Sequence, residues 1–221
     1  MLVSCLTCAA PGRPPEFLEQ CRYYVSRFTG VETEHLVQSG PSMPDNLLML
    51  LQRAKGDYLA IIEDDDWYAP DYLEWMVGRL AGDEADVVGI SPTVYYHLPE
   101  SKFAVLDHPG RSSLFTVVGR TAFLRPQLEA VIREGSGPSI DLRLWPRLGT
   151  RAGTLLSGAA IGIKHGWGPC LGQGHNPGLA VPWSHDVGYR WLRRMVGAGD
   201  LQFYLRLVDK YSPKGEMEET T

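Results

Sequence analysis

Apolar residues along this 221-residue chain fall into short blocks whose period switches between that of a strand and that of a helix. Leu2–Thr7 is a compact apolar run and predicts a buried first strand. Phe17, Leu18, Cys21, Tyr24, Val25 and Phe28 then recur near helical spacing, and Pro14 or Pro15 suits the helix start. "EHLVQS" predicts a second strand, Pro44 to Lys55 a helix ended by Gly56, and Tyr58–Ile62 a third, buried strand. Pro70 suits the first turn of a helix running through Met76 and Leu80, and "ADVVGI" predicts a fourth strand. Strand and helix alternate with short links, which predicts an α/β fold with a mostly parallel central sheet flanked by helices.

The pattern then becomes finer. "TVYYHLP", "KFAVLD" and "SLFTVVG" predict shorter strands forming a small antiparallel part. "RTAFLRPQLEAVIREG" reads as helical in part, "SIDLRLWPRLGT" as a short helix disturbed at Pro146, and "GAAIGI" as another strand. "KHGWGPCLGQGHNPG" is too rich in Gly and Pro for regular structure and reads as a long loop. "VGYRWLRRMVG" and "LQFYLRLVDKY" read as closing helices, and "SPKGEMEETT" as a frayed acidic tail.

Composition adds little beyond a globular class: 44% of residues are hydrophobic and 21% charged. No apolar run approaches the roughly 20 residues needed to span a bilayer. "MLVSCLTCAAPGR" lacks the basic start of a secretory signal and reads as a strand. Charge is more telling. The net value is −5, but residues 1–138 carry −8, residues 139–214 carry +6 and the tail −3. An acidic first half suits a metal ion, and a basic second half suits an anionic partner. Cys5, Cys8, Cys21 and Cys170 are scattered. Cys5 and Cys8 have the spacing of a zinc pair but lack a second pair, so the expectation is buried free thiols in a reducing, cytoplasmic compartment.

The acidic run raises the sharpest question. In "YLAIIEDDDWYAPDYLEWM", Glu63, Asp64, Asp65 and Asp66 follow a greasy strand directly, with nothing basic beside them in sequence. The run lies at the C-terminal end of a strand, the edge where open α/β sheets bind ligands. Clustered carboxylates suit Mg2+ or Mn2+, which would relieve the repulsion. The plainer alternative is a solvated turn that caps the next helix, but a cap uses one acid or two. Neither GxxxxGK[ST] nor GxGxxG occurs, so a bound nucleotide would lean on metal and side chains rather than on a glycine-rich phosphate loop.

"AKGDYLAIIEDDDWYAPDYLE" resembles the "ARGEYIAFLDDDDWWPPDYLE" pattern of family 2 glycosyltransferases of the GT-A fold. The likeness covers roughly residues 1 to 165 and is strongest over 45 to 76. "VSCLTCAAPGRPPEFLEQC" resembles that family's opening strand and helix, with Arg13 at its "R-P" position. "LFTVVGRTAFL" resembles its acceptor-side strand entering a helix, and "SIDLRLWPRL" its "ED-x-x-L-W-x-R-L" segment.

The resemblance implies a Rossmann-like GT-A sheet with C-terminal helices and one domain in four stretches. Residues 1–90 would bind the nucleotide sugar, 91–187 the acceptor, 188–213 would form the helices and 214–221 a disordered tail. It implies transfer from a nucleotide-diphosphate sugar, a UDP-sugar favoured, with Mn2+ or Mg2+ and with inversion. Asp141 would be the general base for the acceptor hydroxyl, although Ile140 replaces the family's Glu and Asp141 also suits a helix N-cap. Asp65 and His175 would hold the metal. Thr7, Arg13, Gln38, Glu63, Asp64, Asp66, Lys164 and His165 would contact the donor, and Trp67, Trp167, Arg190 and Arg194 the acceptor. Gln38 and Ser39 stand where the family carries acids that read uracil. Compact members resembling this chain include phage enzymes that glycosylate hydroxymethylated DNA bases. That makes DNA a candidate acceptor beside a glycan or small molecule, and the host cytoplasm a candidate location. Two rival classes stand beside this reading, a nucleotidyltransferase and a non-catalytic sugar-nucleotide-binding module.

Overall fold

The first strand gathers the fold around itself. In the computed structural model, which describes residues 1–82, 85–135, 140–155, 157–167 and 182–212, β1 (Leu2–Ala9) pairs in parallel with β2 (Glu32–Ser39) and with β3 (Tyr58–Ile61). Val3 stands opposite Thr33 on one side and Tyr58 on the other. Strands buried on both faces read as continuous apolar runs, and side chains of alternate residues divide between the faces. Val3, Cys5, Tyr58, Ala60 and Ile62 join one core with Phe17, Cys21 and Tyr24 of α1 (Pro15–Ser26). Leu6, Leu59 and Ile61 join the other with Leu47, Leu50 and Leu51 of α2 (Met43–Arg53). Each of these three α2 leucines is fully buried, which stabilises the fold by roughly 1.5–3 kcal/mol apiece.

The helix boundaries have local causes. Pro14 precedes α1, and its carbonyl accepts from Phe17 N. Ser42 caps α2 by accepting from Asp45 N at 3.3 Å. The third helix, α3 (Tyr72–Gly82), starts two residues after Pro70 rather than on it, with the Asp71 carbonyl accepting from Trp75 N. Gly56 does not end α2, which stops at Arg53. It lets the chain pass close to β1, because a Cβ there would meet Ser4 N at 2.6 Å.

The central sheet has six strands in the order β2-β1-β3-β8-β5-β9. Here β5 is Val87–Ile90, β8 Val118–Arg120 and β9 Ala152–Leu155. The three pairs β1/β2, β1/β3 and β5/β9 are parallel. The predicted fourth strand, β5, does not lie beside β3. β8 separates them and pairs antiparallel with both. Gly119 makes room for it, since a Cβ there would come within 2.9 Å of the Asp86 carbonyl oxygen. "SLFTVVG" is accordingly a 3-10 turn at Leu114–Thr116 followed by a three-residue strand.

A second sheet runs β11-β7-β6-β10-β4. It consists of β4 (Trp67–Tyr68), β6 (Thr93–His97), β7 (Lys102–Leu106), β10 (Ala160–Lys164) and β11 (Ser184–His185). The β6/β7 hairpin is antiparallel, as the pattern predicts, and β10 lies parallel to β6. Pro126 and Pro146 sit inside α4 (Thr121–Arg133) and α5 (Ile140–Leu148) without ending them. Both ride the exposed face, so the carbonyls they leave without a helical partner, those of Ala122 and Leu142, belong to exposed residues.

The two closing helices are one run, α6 (Arg190–Tyr211), broken at Gly197 with φ +80°. Its start hangs on buried Asp186, whose carboxylate accepts from Trp191 N at 2.7 Å, Leu192 N at 3.0 Å and the Tyr96 hydroxyl at 2.8 Å. Cys5, Cys8 and Cys21 are free thiols, the first and third buried. Cys170, His175 and the tail 214–221 lie outside the described residues. Among the described residues no helix is long and apolar enough to cross a membrane.

Two measurements bear on this packing. Burial, with Arg22 nearby, lowers the His35 pKa from 6.5 to about 4. The imidazole therefore stays neutral in the folded chain while the unfolded chain takes up a proton. Stability is lost as pH falls from about 6.5 toward 4, by about 1–3 kcal/mol from this group. Urea unfolding at pH 7.5 and 4.5 should show that loss in the wild type and its absence in His35→Gln; equal pH slopes would exclude it. Gly56→Ala should cost about 1–3 kcal/mol in the same assay, because β1 backbone has nowhere to move.

Candidate functional site

The acidic run leaves the end of β3, where Ile62 N still donates to the Leu6 carbonyl, and turns into β4. Each side chain in the turn is fixed separately. The Glu63 amide donates to the Tyr68 hydroxyl at 2.9 Å, and that hydroxyl donates to the Phe115 carbonyl at 3.2 Å. Asp64 accepts from Arg13 and, at 3.4 Å, from the Ala10 amide. Asp65 lies 2.9 Å from Arg13 Nη1 through Oδ1 and 3.3 Å from His165 Nε2 through Oδ2. Asp66 Oδ1 accepts from Ile163 N at 2.7 Å, while its Oδ2 is buried with no hydrogen-bond partner among the described residues.

The puzzle of four adjacent acids thus has an answer that sequence order hides. The opposing charge arrives from elsewhere in the chain: Arg13 from the loop after β1 and Lys164 from the end of β10, with the His165 ring beside them. The balance is incomplete. Asp64, Asp65 and Asp66 are buried and Glu63 half-buried, four carboxyls facing two fixed cations. Burial pushes the Glu63 carboxyl up to about 7 and Asp64 up to about 6, against the pull of Lys164 and Arg13. Burial also lifts Asp66 well above the usual carboxylate range. Asp65 goes the other way. Burial opposes its charge, but Arg13, the His165 hydrogen bond and Lys164 together hold it below the ordinary range. Lys164, itself buried, is kept above its ordinary value by Asp66, Asp65 and Glu63. Its ammonium lies 5.4 Å from the centre of the Tyr95 ring.

Glu63, Asp65 and Asp66 each offer an oxygen within 4.8 Å of the others. Three carboxylate oxygens, from a trio in which Asp65 Oδ1 and Asp66 Oδ2 are buried without a hydrogen-bond partner among the described residues, form a hard donor set that fits Mg2+ or Mn2+. Asp64 stands outside that trio, engaged by Arg13 and Ala10.

The other expected site residues are distributed more widely. Thr7 faces inward, its hydroxyl within 2.9 Å of His35 Nε2 and 3.7 Å of Cys21 Sγ. Gln38 lies on β2, its amide donating to the Ser39 carbonyl at 3.2 Å. Trp67 is 5% exposed and gives its indole N–H to Asp200 at 2.7 Å, which makes it a tether rather than a free surface ring. Trp167 packs its ring near His165, at 5.2 Å between centroids, and near Tyr211 at 5.6 Å. Arg190 and Arg194 are exposed on α6. Asp141 stands in the first turn of α5, with Oδ2 3.6 Å from Arg111 Nη1. His175 is not among the described residues.

Sequence reasoning did not single out Tyr68, the Ala10 and Ile163 amides, Arg111 or Asp200. Tyr68 is the one with a signal: a hydroxyl two residues after four acids, inside a stretch too short for a core strand, invites a partner.

Residues 13–128, more than half the chain, match the family described as Glycosyl transferase family 2. A 38-residue stretch is 50% identical to EpsH of Bacillus subtilis (strain 168), a glycosyltransferase by assignment, and spans 17% of this chain and 11% of EpsH. Among solved structures, S. aureus TarS 1–349 in complex with UDP aligns with a TM-score of 0.54 at 12% identity, over 74% of this chain and 60% of that one. The UDP-GlcNAc complex of the same protein gives 0.53 at 10% identity, over 74% and 59%. The chain therefore spans about three fifths of those TarS structures and a small part of EpsH. The TarS likeness is one of fold: a mixed sheet, parallel in the main, with a second small sheet beside it. With its family pattern running from just before α1 into α4, over more than half the chain, this chain belongs to glycosyltransferase family 2.

Proposed function

We propose that the chain transfers a sugar from a nucleotide-diphosphate sugar, UDP-linked, to an acceptor hydroxyl, with a divalent metal at Glu63, Asp65 and Asp66. The observation that carries this is the trio of converging carboxylates at the end of β3, with Arg13 and Lys164 beside it, inside a family 2 domain. The TarS structures that share the fold are complexes with UDP and UDP-GlcNAc, which favours the same donor here. A metal held by these oxygens would supply positive charge to the departing diphosphate. Lys164 and Arg13 would bind the same diphosphate from the protein side, and His165 orients Asp65. Asp141 would take the proton from the attacking hydroxyl, with Arg111 holding its carboxylate, so that attack from the opposite face inverts the anomeric carbon.

We place the acceptor along the basic second half of the chain, near exposed Arg190 and Arg194, and take a hydroxymethylated base in DNA as the acceptor to test first. A base inside a duplex would have to be flipped out. Three free thiols suit a reducing, cytoplasmic setting. A second reading keeps the donor and drops the metal. It is favoured by Asp65, whose two oxygens already face Arg13 and His165.

The test is thermal shift against UDP, GDP, dTDP, CDP and ADP, each with Mn2+ and with EDTA. One nucleotide should raise Tm by about 5–10 °C at a hundredfold excess over Kd. That shift should need Mn2+ and vanish in Asp65→Ala. A shift that survives EDTA selects the metal-free reading, and none with any nucleotide removes the donor site altogether. Lowering pH from 8 to 5 should weaken the Mn2+-dependent shift, because protons compete for Glu63 and Asp66, the carboxylates of the trio that burial makes basic. Asp141→Asn should keep the nucleotide shift and lose roughly 10²–10⁴-fold in kcat. Binding to DNA, if it is the acceptor, should weaken steeply with salt; salt-insensitive turnover on a neutral glycan would exclude it.

A further inference from the structure

Asp200 is a buried carboxylate, 6% exposed, far in sequence from the acidic run. It lies three residues after the break at Gly197, in the first turn of the second segment of α6. Its oxygens are turned away from that helix. Oδ2 accepts from the Trp67 indole at 2.7 Å and from Arg27 Nη2 at 2.7 Å, and Oδ1 from Gln20 Nε2 at 3.3 Å. Arg27 also donates to the Tyr68 carbonyl at 3.2 Å. One carboxylate therefore joins α6 to α1 and to both residues of β4.

The position of β4 matters because Trp67 follows Asp66 directly. On its inner side the turn is held by the Ile163 amide on Asp66. On its outer side it is held by Asp200 through Trp67. β4 itself pairs with β10 at only Trp67 and Tyr68, too short a ladder to fix its own place. Besides the bonds that Tyr68, Arg13 and His165 make to the turn, its far end thus has an anchor that comes from the last helix.

We propose that Asp200 is a positioning residue of the donor site: through the Trp67 indole it sets where Asp65 and Asp66 present their carboxylates to the donor's diphosphate end. The proposal rests on the donor reading above. Its charge matters as well as its shape, since Arg27 is held by the same oxygen as Trp67.

Three variants of the full chain test it. Asp200→Asn keeps the shape and removes the charge. Trp67→Phe removes the indole donor and leaves Asp200 paired with Arg27. Glu16→Gln weakens another tie between α1 and α6, where Lys210 and Tyr211 meet Glu16, without touching the turn. The first readout needs no ligand: amide exchange at Ile163. It should accelerate about tenfold in Asp200→Asn and Trp67→Phe, the size of one charge-assisted hydrogen bond, and stay at the wild-type rate in Glu16→Gln.

The second readout is the Kd for UDP with Mn2+, which should rise about tenfold in the same two variants and no further in the double variant. The acceptor KM should not move. Equal acceleration in Glu16→Gln, unchanged exchange in Asp200→Asn, or faster exchange with unchanged UDP affinity would each overturn the proposal. If Asp200→Asn does not fold, Trp67→Phe decides alone. If the wild type binds no nucleotide, the donor reading fails, and Ile163 exchange still decides whether Asp200 holds the turn.

Discussion

Four acidic side chains in succession at the end of a buried strand depend on positive charge brought from a distance. At an effective dielectric of about 20, two like charges 4 Å apart repel by about 4 kcal/mol, so the run is a large local cost. Arg13 and Lys164 meet it, and they come from different sheets. The central sheet delivers Arg13 through the loop after β1, and the second sheet delivers Lys164 at the end of β10. The electrostatics of one turn therefore help to hold the two sheets in mutual register. What the two cations leave uncompensated shows in the carboxyls of Glu63, Asp64 and Asp66, which burial holds above their ordinary pKa. A protein selected for stability alone would not bury so much charge of one sign.

Much of this fold was legible in the chain. Six of the seven elements from β1 to α3, all but the two-residue β4, follow from apolar periodicity and from Pro at helix starts, within about two residues at each end. The acidic run stood out because its position after a greasy strand is a sheet-edge position whatever lies around it. Even the closing helices were readable as two, because Gly197 interrupts their pattern.

The rest was hidden for identifiable reasons. β8 is three residues long, and nothing local says that it will lie between β3 and β5. Arg13 and Asp200 are single charges whose partners lie 51 and 133 residues away, at Asp64 and Trp67. The resemblance gave Trp67 an acceptor contact and no hint that it is buried. Its burial depends on α6, which arrives at the end of the chain. Pro146 was expected to disturb its short helix, yet on an exposed face the carbonyl it frees belongs to a residue open to solvent.

The insertion of β8 has a consequence for how the chain assembles. Tyr58 pairs with Val3 on one side and with Arg120 on the other. During synthesis the first partner is already present when β3 emerges, and the second is not. Until β8 is made, one edge of a fully apolar strand stands open, with its amides and carbonyls unpaired. Such an edge is a template for other nascent chains, and non-local pairing of this kind slows folding. The same topology that closes the sheet under the acidic turn therefore makes the half-made chain adhesive, and its yield in the cell will depend on how quickly translation passes Arg120.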